Sequence, residues 1–329
     1  MFPDMMILIA LLGGCKGAPE DTGEAPWDRG ENPHQLDDIL RLNHIQVKGT
    51  HNSYHLEPEQ VFDDSHRYSH PPLTEQLDQH GVRQFELDLH LTEEEAWQVF
   101  HLPVIDQETV CLAFTDCLAE IKAWSDANGW HVPIMIWLEP KDDLDATASG
   151  LQSIGEHLLT VDEVIRSVFP EDRLFTPDDL RGDHGSLSEA LVADGWPLLG
   201  EVRGQVMFSL LSTGSHRDSY LDGAADLAGR VLFVDSADTD SFAATIKDGS
   251  PASITAWTQA GFLVTSNGSR AGDDAKTAEA ADTALLDAGV HHAATDMAAP
   301  GGDHWLDLAP RCNPVTAPAE CEDSEVERL

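Results

Sequence analysis

The sequence predicts an α/β protein, a single (β/α)8 barrel. Three observations point there. Short apolar or β-branched runs alternate with helical stretches, which implies a parallel sheet. Seven or more such runs fall within about 280 residues, a span that suits one barrel. There is no Gly-rich dinucleotide loop to favour an open doubly wound sheet. The expected strands are 45–49 (IQVKG), 83–90 (RQFELDLH), 133–139 (PIMIWLE), 205–211 (QVMFSLL), 230–236 (RVLFVDS), 261–267 (GFLVTSN) and 291–297 (HHAATDM). A short run at 96–101 (AWQVFH) is expected as a hairpin arm beside the second strand. The expected helices are 72–81, 117–129, 150–169, 186–195 and 274–289. Several end in Gly after the last apolar residue, as helix C-termini commonly do.

The N-terminus reads as a leader. The run Met5 to Leu12 is apolar but too short to span a bilayer. It ends in Leu12-Gly13-Gly14-Cys15, which resembles a bacterial lipoprotein processing box, although Asp4 stands where such leaders carry positive charge. Residues 1–15 are therefore expected to be a signal peptide, with Cys15 lipidated after cleavage. Residues 16–40, rich in Gly, Pro and acids, read as a flexible tether. Residues 41–329 are expected to form the single barrel domain. The remaining four cysteines, Cys111, Cys117, Cys312 and Cys321, suggest two disulfides in an exported protein. Local pairing, 111–117 and 312–321, is preferred among the three connectivities.

Charge removes one partner class. With 59 acidic and 19 basic residues the formal net charge is −40. Such a surface repels the phosphates of nucleic acid and an anionic membrane. Attraction to a lipid must come from a local site and an anchor.

Active residues of a barrel lie at the C-terminal ends of its strands. The first strand offers His51 and Asn52, the second Glu86 and Asp88, the hairpin arm His101, and the third Glu139 and Lys141. Glu86 and Asp88, one residue apart in a strand, point to the same face. Two carboxylates on a barrel's inner face need a compensating cation or protons. With Asn52 and Glu139 they make four oxygen donors and no sulfur, a set for calcium, with magnesium as second choice and zinc disfavoured. His51 and His101 flank these oxygens and can serve as an acid–base pair near neutral pH. The other histidines, including His55, His66, His70, His80, His90, His291 and His292, are read as structural.

The stretches IQVKGTHNSYH, YSHPPLTEQLDQHGVRQFELDLH, VFHLPVID, LEPKDD and RCNPVTAP resemble the bacterial calcium-dependent phosphatidylinositol-specific phospholipases C, over residues 44 to 321. The resemblance implies that His51 and His101 are catalytic, with Glu86 an alternative base. It implies Ca2+ on Asn52, Glu86, Asp88 and Glu139, and substrate contacts for Lys141 and Arg270. The reaction implied is attack of the inositol 2-hydroxyl on its own phosphodiester, releasing diacylglycerol. The family's later strands commonly end in an aspartate and an arginine. Here MFSLLSTGS offers Ser209, Ser212 and Thr213 instead, and Arg270 lies past its strand, so an altered headgroup side is expected. The substrate is then a phosphoinositide or a soluble glycerophosphoinositol, and the protein a monomer. Two other readings stay open: a glycerophosphodiester phosphodiesterase or phospholipase D-like enzyme, and a lipoprotein that binds a phosphorylated headgroup without turnover.

Overall fold

Parallel pairing dominates the structure, a computed structural model that describes residues 27, 29–141, 150–224, 226–237 and 239–327. The strands are β1 (Ile45–Thr50), β2 (Val82–Thr92), β3 (Trp97–Val99), β4 (Ile134–Pro140), β5 (Leu151–Gln152), β6 (Val206–Leu210), β7 (Leu232–Val234), β8 (Thr245–Lys247), β9 (Leu263–Asn267), β10 (His292–Thr295) and β11 (Arg311–Cys312). Eight of them run β7-β6-β4-β2-β1-β10-β9-β8, each parallel to its neighbours. The two ends of this path meet. Asp235 pairs with Thr245 in parallel, and the Thr245 hydroxyl donates to the Val234 carbonyl at 3.0 Å. The result is a nearly closed eight-stranded barrel. β3 and β5 lie antiparallel on the long β2, and β11 on β1.

Strands buried on both faces should read as continuous apolar runs. β4 does so, with Ile134, Met135, Ile136, Trp137 and Leu138 all fully buried. Outside it, the helix Phe114–Ala127 buries Phe114, Cys117, Leu118, Ile121 and Trp124, a stripe at helical spacing. The barrel interior is partly polar and internally bonded. The Trp137 indole donates to the Thr265 hydroxyl (2.8 Å), which lies 2.9 Å from His292 Nδ1. Ser209, expected beside the headgroup, is instead fully buried and bonded to the Thr245 hydroxyl at 2.9 Å.

Three local expectations need correction. β8 was not anticipated: three residues carry too little periodicity to read. The stretch 150–169 is not one helix. Leu151–Gln152 joins β2, Gly155–Leu159 is a 3-10 turn, and the α-helix begins at Thr160. The second half of the expected tether lies against the barrel. Leu40 is fully buried, and Asp37 accepts from Arg203 Nε at 2.7 and 2.8 Å. A buried guanidinium needs that carboxylate, which holds the segment in place. The leader and Cys15 lie outside the described residues. Among the described residues no helix is long and apolar enough to cross a membrane. The disulfides are Cys111–Cys117 and Cys312–Cys321, the local pairing expected.

Candidate active site

The site begins where β1 meets β2. Gly49 allows the two strands to approach, because a Cβ there would sit 1.9 Å from Gln84 Oε1. Just beyond the strand, Asn52 takes a left-handed φ of 43°. That turn brings Ser53 under Glu86. Its N–H donates to the Glu86 carbonyl (2.9 Å), and its hydroxyl accepts from the Glu86 N–H (2.8 Å). His51 and Glu86 are thereby fixed relative to each other. His51 Nε2 lies 3.9 Å from Glu86 Oε1.

Each proposed catalytic histidine leans on a carboxylate. His51 Nδ1 lies 2.8 Å from Asp296 Oδ1, at the end of β10. His101 Nδ1 lies 2.7 Å from Asp106 Oδ2, five residues on in the same loop. Burial works against a charged His51, yet Glu86 and the Asp296 hydrogen bond outweigh it and raise its pKa. Asp106 is pushed up by burial but held at about 2 by hydrogen bonds from His101 and His55, so it stays ionised.

A carboxylate cluster adjoins His51. Ligand-capable atoms of Glu86, Asp88 and Glu139 all lie within 4.8 Å of one another. The β2–β4 register sets Asp88 directly beside Glu139. Two lysines partly neutralise the three acids. Lys247, on β8, pairs with Glu86, while Lys141 Nζ lies 2.9 Å from Glu139 and 3.4 Å from Asp88. Burial raises Glu86, but Lys247 and His51 prevail and lower it. Asp88 is fully buried, burial pushes its carboxyl up, and its oxygens face Lys141 at 3.4 Å without a hydrogen bond of ordinary geometry among the described residues. An under-partnered buried carboxylate beside two more fits a hard cation that takes oxygen ligands. Asn52 donates its amide N–H to the Tyr68 hydroxyl at 3.2 Å, leaving Oδ1 as the atom it can offer a cation.

The sequence matches the family model for Ca2+-dependent phosphoinositide phospholipase C over residues 40–95 and 90–309. The chain belongs to that family. This phospholipase is similar in fold to several solved structures. A Ca2+-dependent phosphatidylinositol-specific phospholipase C from Streptomyces antibioticus is 21% identical, with a TM-score of 0.57 over 79% of this chain and 95% of that one. A calcium-dependent enzyme from a Pseudomonas species is 19% identical, with a TM-score of 0.58 over 84% and 97%. Its myo-inositol complex gives 19% and 0.57 over 83% and 95%. A comparison with curated proteins found no match.

The phospholipase's barrel collects His51, Asn52, Glu86, Asp88, His101, Glu139 and Lys141 at one end, as expected. Arg270 is exposed on the loop after β9, at the rim. Four residues were missed. Asp296 closes a strand that sequence reading had placed, so the strand-end rule could have found it. Asp106 follows His101 at the spacing of a tight loop, a weak signal. Lys247 sits on the unanticipated β8. Asp235 closes β7; burial pushes its carboxyl up to about 6, and it accepts from the Lys247 N–H at 3.1 Å. The Arg217 guanidinium, on the helix Ser215–Leu221, donates to the Asp235 carbonyl at 3.1 Å.

Proposed function

We propose that the protein is an exported calcium-dependent phosphodiesterase that cleaves phosphatidylinositol into a cyclic inositol phosphate and diacylglycerol. The observation that carries this reading is the three-carboxylate cluster beside the His51–Asp296 dyad, with a second dyad, His101–Asp106, on the loop after β3. Glu86, Asp88 and Glu139, with Asn52 Oδ1, would hold Ca2+. When bound, the cation lowers the pKa of the inositol 2-hydroxyl and offsets charge on the phosphoryl oxygens.

His51 is assigned the base. Its Nδ1–H is spent on Asp296, which leaves Nε2 as a proton acceptor facing the cluster edge at Glu86. The 2-hydroxyl proton moves to His51 Nε2 as the oxygen attacks phosphorus. His101, with Nδ1–H on Asp106, donates from Nε2 to the departing glycerol oxygen as its bond to phosphorus breaks. Asp296 and Asp106 orient the rings and stabilise the imidazolium forms. Lys141, beside Asp88 and Glu139, offers a cation to the phosphate. Arg270 contacts the substrate only at the rim.

Two disulfides agree with an oxidising compartment. The leader ending in Cys15 supports export as a lipoprotein. Incubating cells with a labelled fatty acid tests this: label on the wild type and none on Cys15→Ser is expected, whereas label on both would defeat the anchor.

The activity is tested with purified protein on phosphatidylinositol vesicles, following products by 31P NMR. A cyclic phosphate formed with Ca2+ and not with a chelator is expected. Equal turnover in chelator, or a lipid phosphate product, would overturn the reading.

A further inference from the structure

Asp106 is the hub of a second cluster. His101 Nδ1 approaches it at 2.7 Å, His55 Nε2 lies 3.0 Å from both of its oxygens, and His66 Nδ1 is 3.3 Å from Oδ2. These side chains come from three places: the turn after β1, the 3-10 turn Asp64–His66, and the loop after β3. All belong to the C-terminal rim. None of the four donors is a ligand of the oxygen cluster at Glu86.

Two features leave room for a cation at this cluster. The first is His55, which is fully buried. Its Nδ1 lies 3.0 Å from the Tyr68 carbonyl and its Nε2 3.0 Å from the Asp106 carboxylate. Both partners are acceptors. A neutral imidazole has one N–H and fails one of them. A cation between Nε2 and Asp106 would satisfy both ends of the ring at once. The second is His66, which is 8% exposed and whose Nδ1 is buried 3.3 Å from Asp106 Oδ2 without a hydrogen bond to it.

Two imidazole nitrogens and one ionised carboxylate converge here, with a third imidazole, His66, at their edge. Ligand atoms of His55, His101 and Asp106 lie within 4.8 Å of one another, and His66 stands beside them. Imidazole is a poor ligand for calcium and a good one for zinc-class divalent ions, which take three nitrogens and an oxygen tetrahedrally at about 2.0–2.2 Å. The His55 Nδ1–H on the Tyr68 carbonyl is the outer contact that commonly orients a metal-binding histidine.

We propose that His55, His101 and Asp106 form the core of a binding site for a zinc-class divalent cation, completed by His66 and separate from the calcium site, and that filling it inhibits the enzyme. Binding rests on the cluster alone; inhibition rests also on the role proposed above for His101. The ion takes His101 Nδ1 and displaces its proton to solvent. The ring then cannot become an imidazolium, and its remaining Nε2–H is far too weak an acid to protonate the leaving oxygen. Asp106, bound to the ion, no longer supports a charged His101.

The test uses the full chain saturated with Ca2+, so that the oxygen cluster is filled. Co2+ is titrated in and read by its visible absorption; Zn2+ retained after gel filtration is counted per chain. One ion per chain with the intense bands of tetrahedral Co2+ is expected. Stoichiometric Zn2+ should lower turnover at least tenfold, and a zinc-selective chelator should restore it. His66→Ala should keep its Zn2+-free turnover within about twofold, and both metal affinity and Zn2+ inhibition should fall tenfold or more. His66→Gln, closer in volume, repeats the test should the alanine variant not fold.

Absence of a stoichiometric ion in the wild type would overturn the proposal, as would binding unchanged in both His66 variants. An ion that binds through His66 but leaves turnover intact would overturn the inhibitory half and the assignment of His101 as acid. The Ca2+ requirement and cyclic product would still stand.

Discussion

Asp296 and Asp106 hold the same position on two different rings, one on His51 and one on His101. Each accepts from Nδ1, so each fixes which nitrogen is bare. Converting either to asparagine should lower kcat on the order of a hundredfold, because an amide supports the wrong tautomer and does not favour the imidazolium. KM should barely move, since neither carboxylate touches the substrate. A variant whose loss lay in KM would refute the positioning role. His51→Ala and His101→Ala should each cost about a hundredfold or more in kcat. Asp88 calls for a different measurement. Its carboxylate is fully buried, with burial opposing its charge. Asp88→Asn should therefore stabilise the calcium-free protein. In the wild type, calcium at a hundred times its Kd should stabilise by about 2.7 kcal/mol. The variant should lose most of that gain. Thermal midpoints with Ca2+ and with chelator decide it; an undiminished calcium shift in Asp88→Asn would remove Asp88 from the ligand set.

At the scale of elements, the barrel's far end is tied by buried ion pairs that join distant segments. Arg203 is fully buried and holds Asp37 from the N-terminal strap and the Val326 carbonyl (2.8 Å) from the C-terminal one. Arg83, also fully buried, pairs with Glu327, whose other oxygen accepts from the Val132 N–H at 2.7 Å. Breaking such a pair leaves an unpaired buried charge. Asp37→Ala should destabilise by roughly 3–5 kcal/mol, read by urea unfolding, with the turnover of the folded fraction unchanged. A loss below about 1 kcal/mol would return residues 29–40 to the status of a tether. That strap marks the boundary of what sequence could show. Apolar runs such as IMIWL and the E-x-D of β2 are local signals, and they placed seven of eight barrel strands and the oxygen cluster. Asp37, Glu327, Asp106 and Lys247 take their meaning from partners 5 to 244 residues away. Nothing in a window around Asp37 distinguishes a buried counter-ion from a solvated acid. The same holds for His55 and His66, read as structural until Asp106 was seen between them.

The whole molecule carries a charge of −40 and, in its interior, several histidines kept neutral. These two features make opposite demands as pH falls. Burial lowers His131 and His291 to about 4 and His292 to about 3. Their bonding explains why a second proton is unwelcome. His291 Nδ1 accepts from the Val264 N–H (3.0 Å) while Nε2 lies 3.1 Å from the Asn43 carbonyl, and His292 sits against Thr265 inside the barrel. The unfolded chain protonates these rings near pH 6.5, where the folded chain cannot. Between about pH 6.5 and 4 the unfolded state therefore binds more protons, and stability must fall as pH falls. At pH 5 each ring costs on the order of 2 kcal/mol. Three of them consume much of the roughly 5–15 kcal/mol typical of a domain. Acidification also reduces net negative charge and self-repulsion, which acts the other way. So do Asp88, Asp235 and His51, whose raised pKa values let the folded chain gain protons over the same range. Ordinary carboxylates titrate near pH 4, however, so most of the −40 persists at pH 5, and the buried neutral rings outweigh these few groups and decide the sign. The thermal midpoint should thus decline between pH 7 and 5. Added salt should raise the midpoint at every pH by screening the surface charge, without removing the decline, because the rings are buried beyond its reach. His292→Gln should flatten the slope. A midpoint that stayed level from pH 7 to 5, or a decline abolished by salt, would show that surface charge rather than the barrel's neutral histidines sets acid stability.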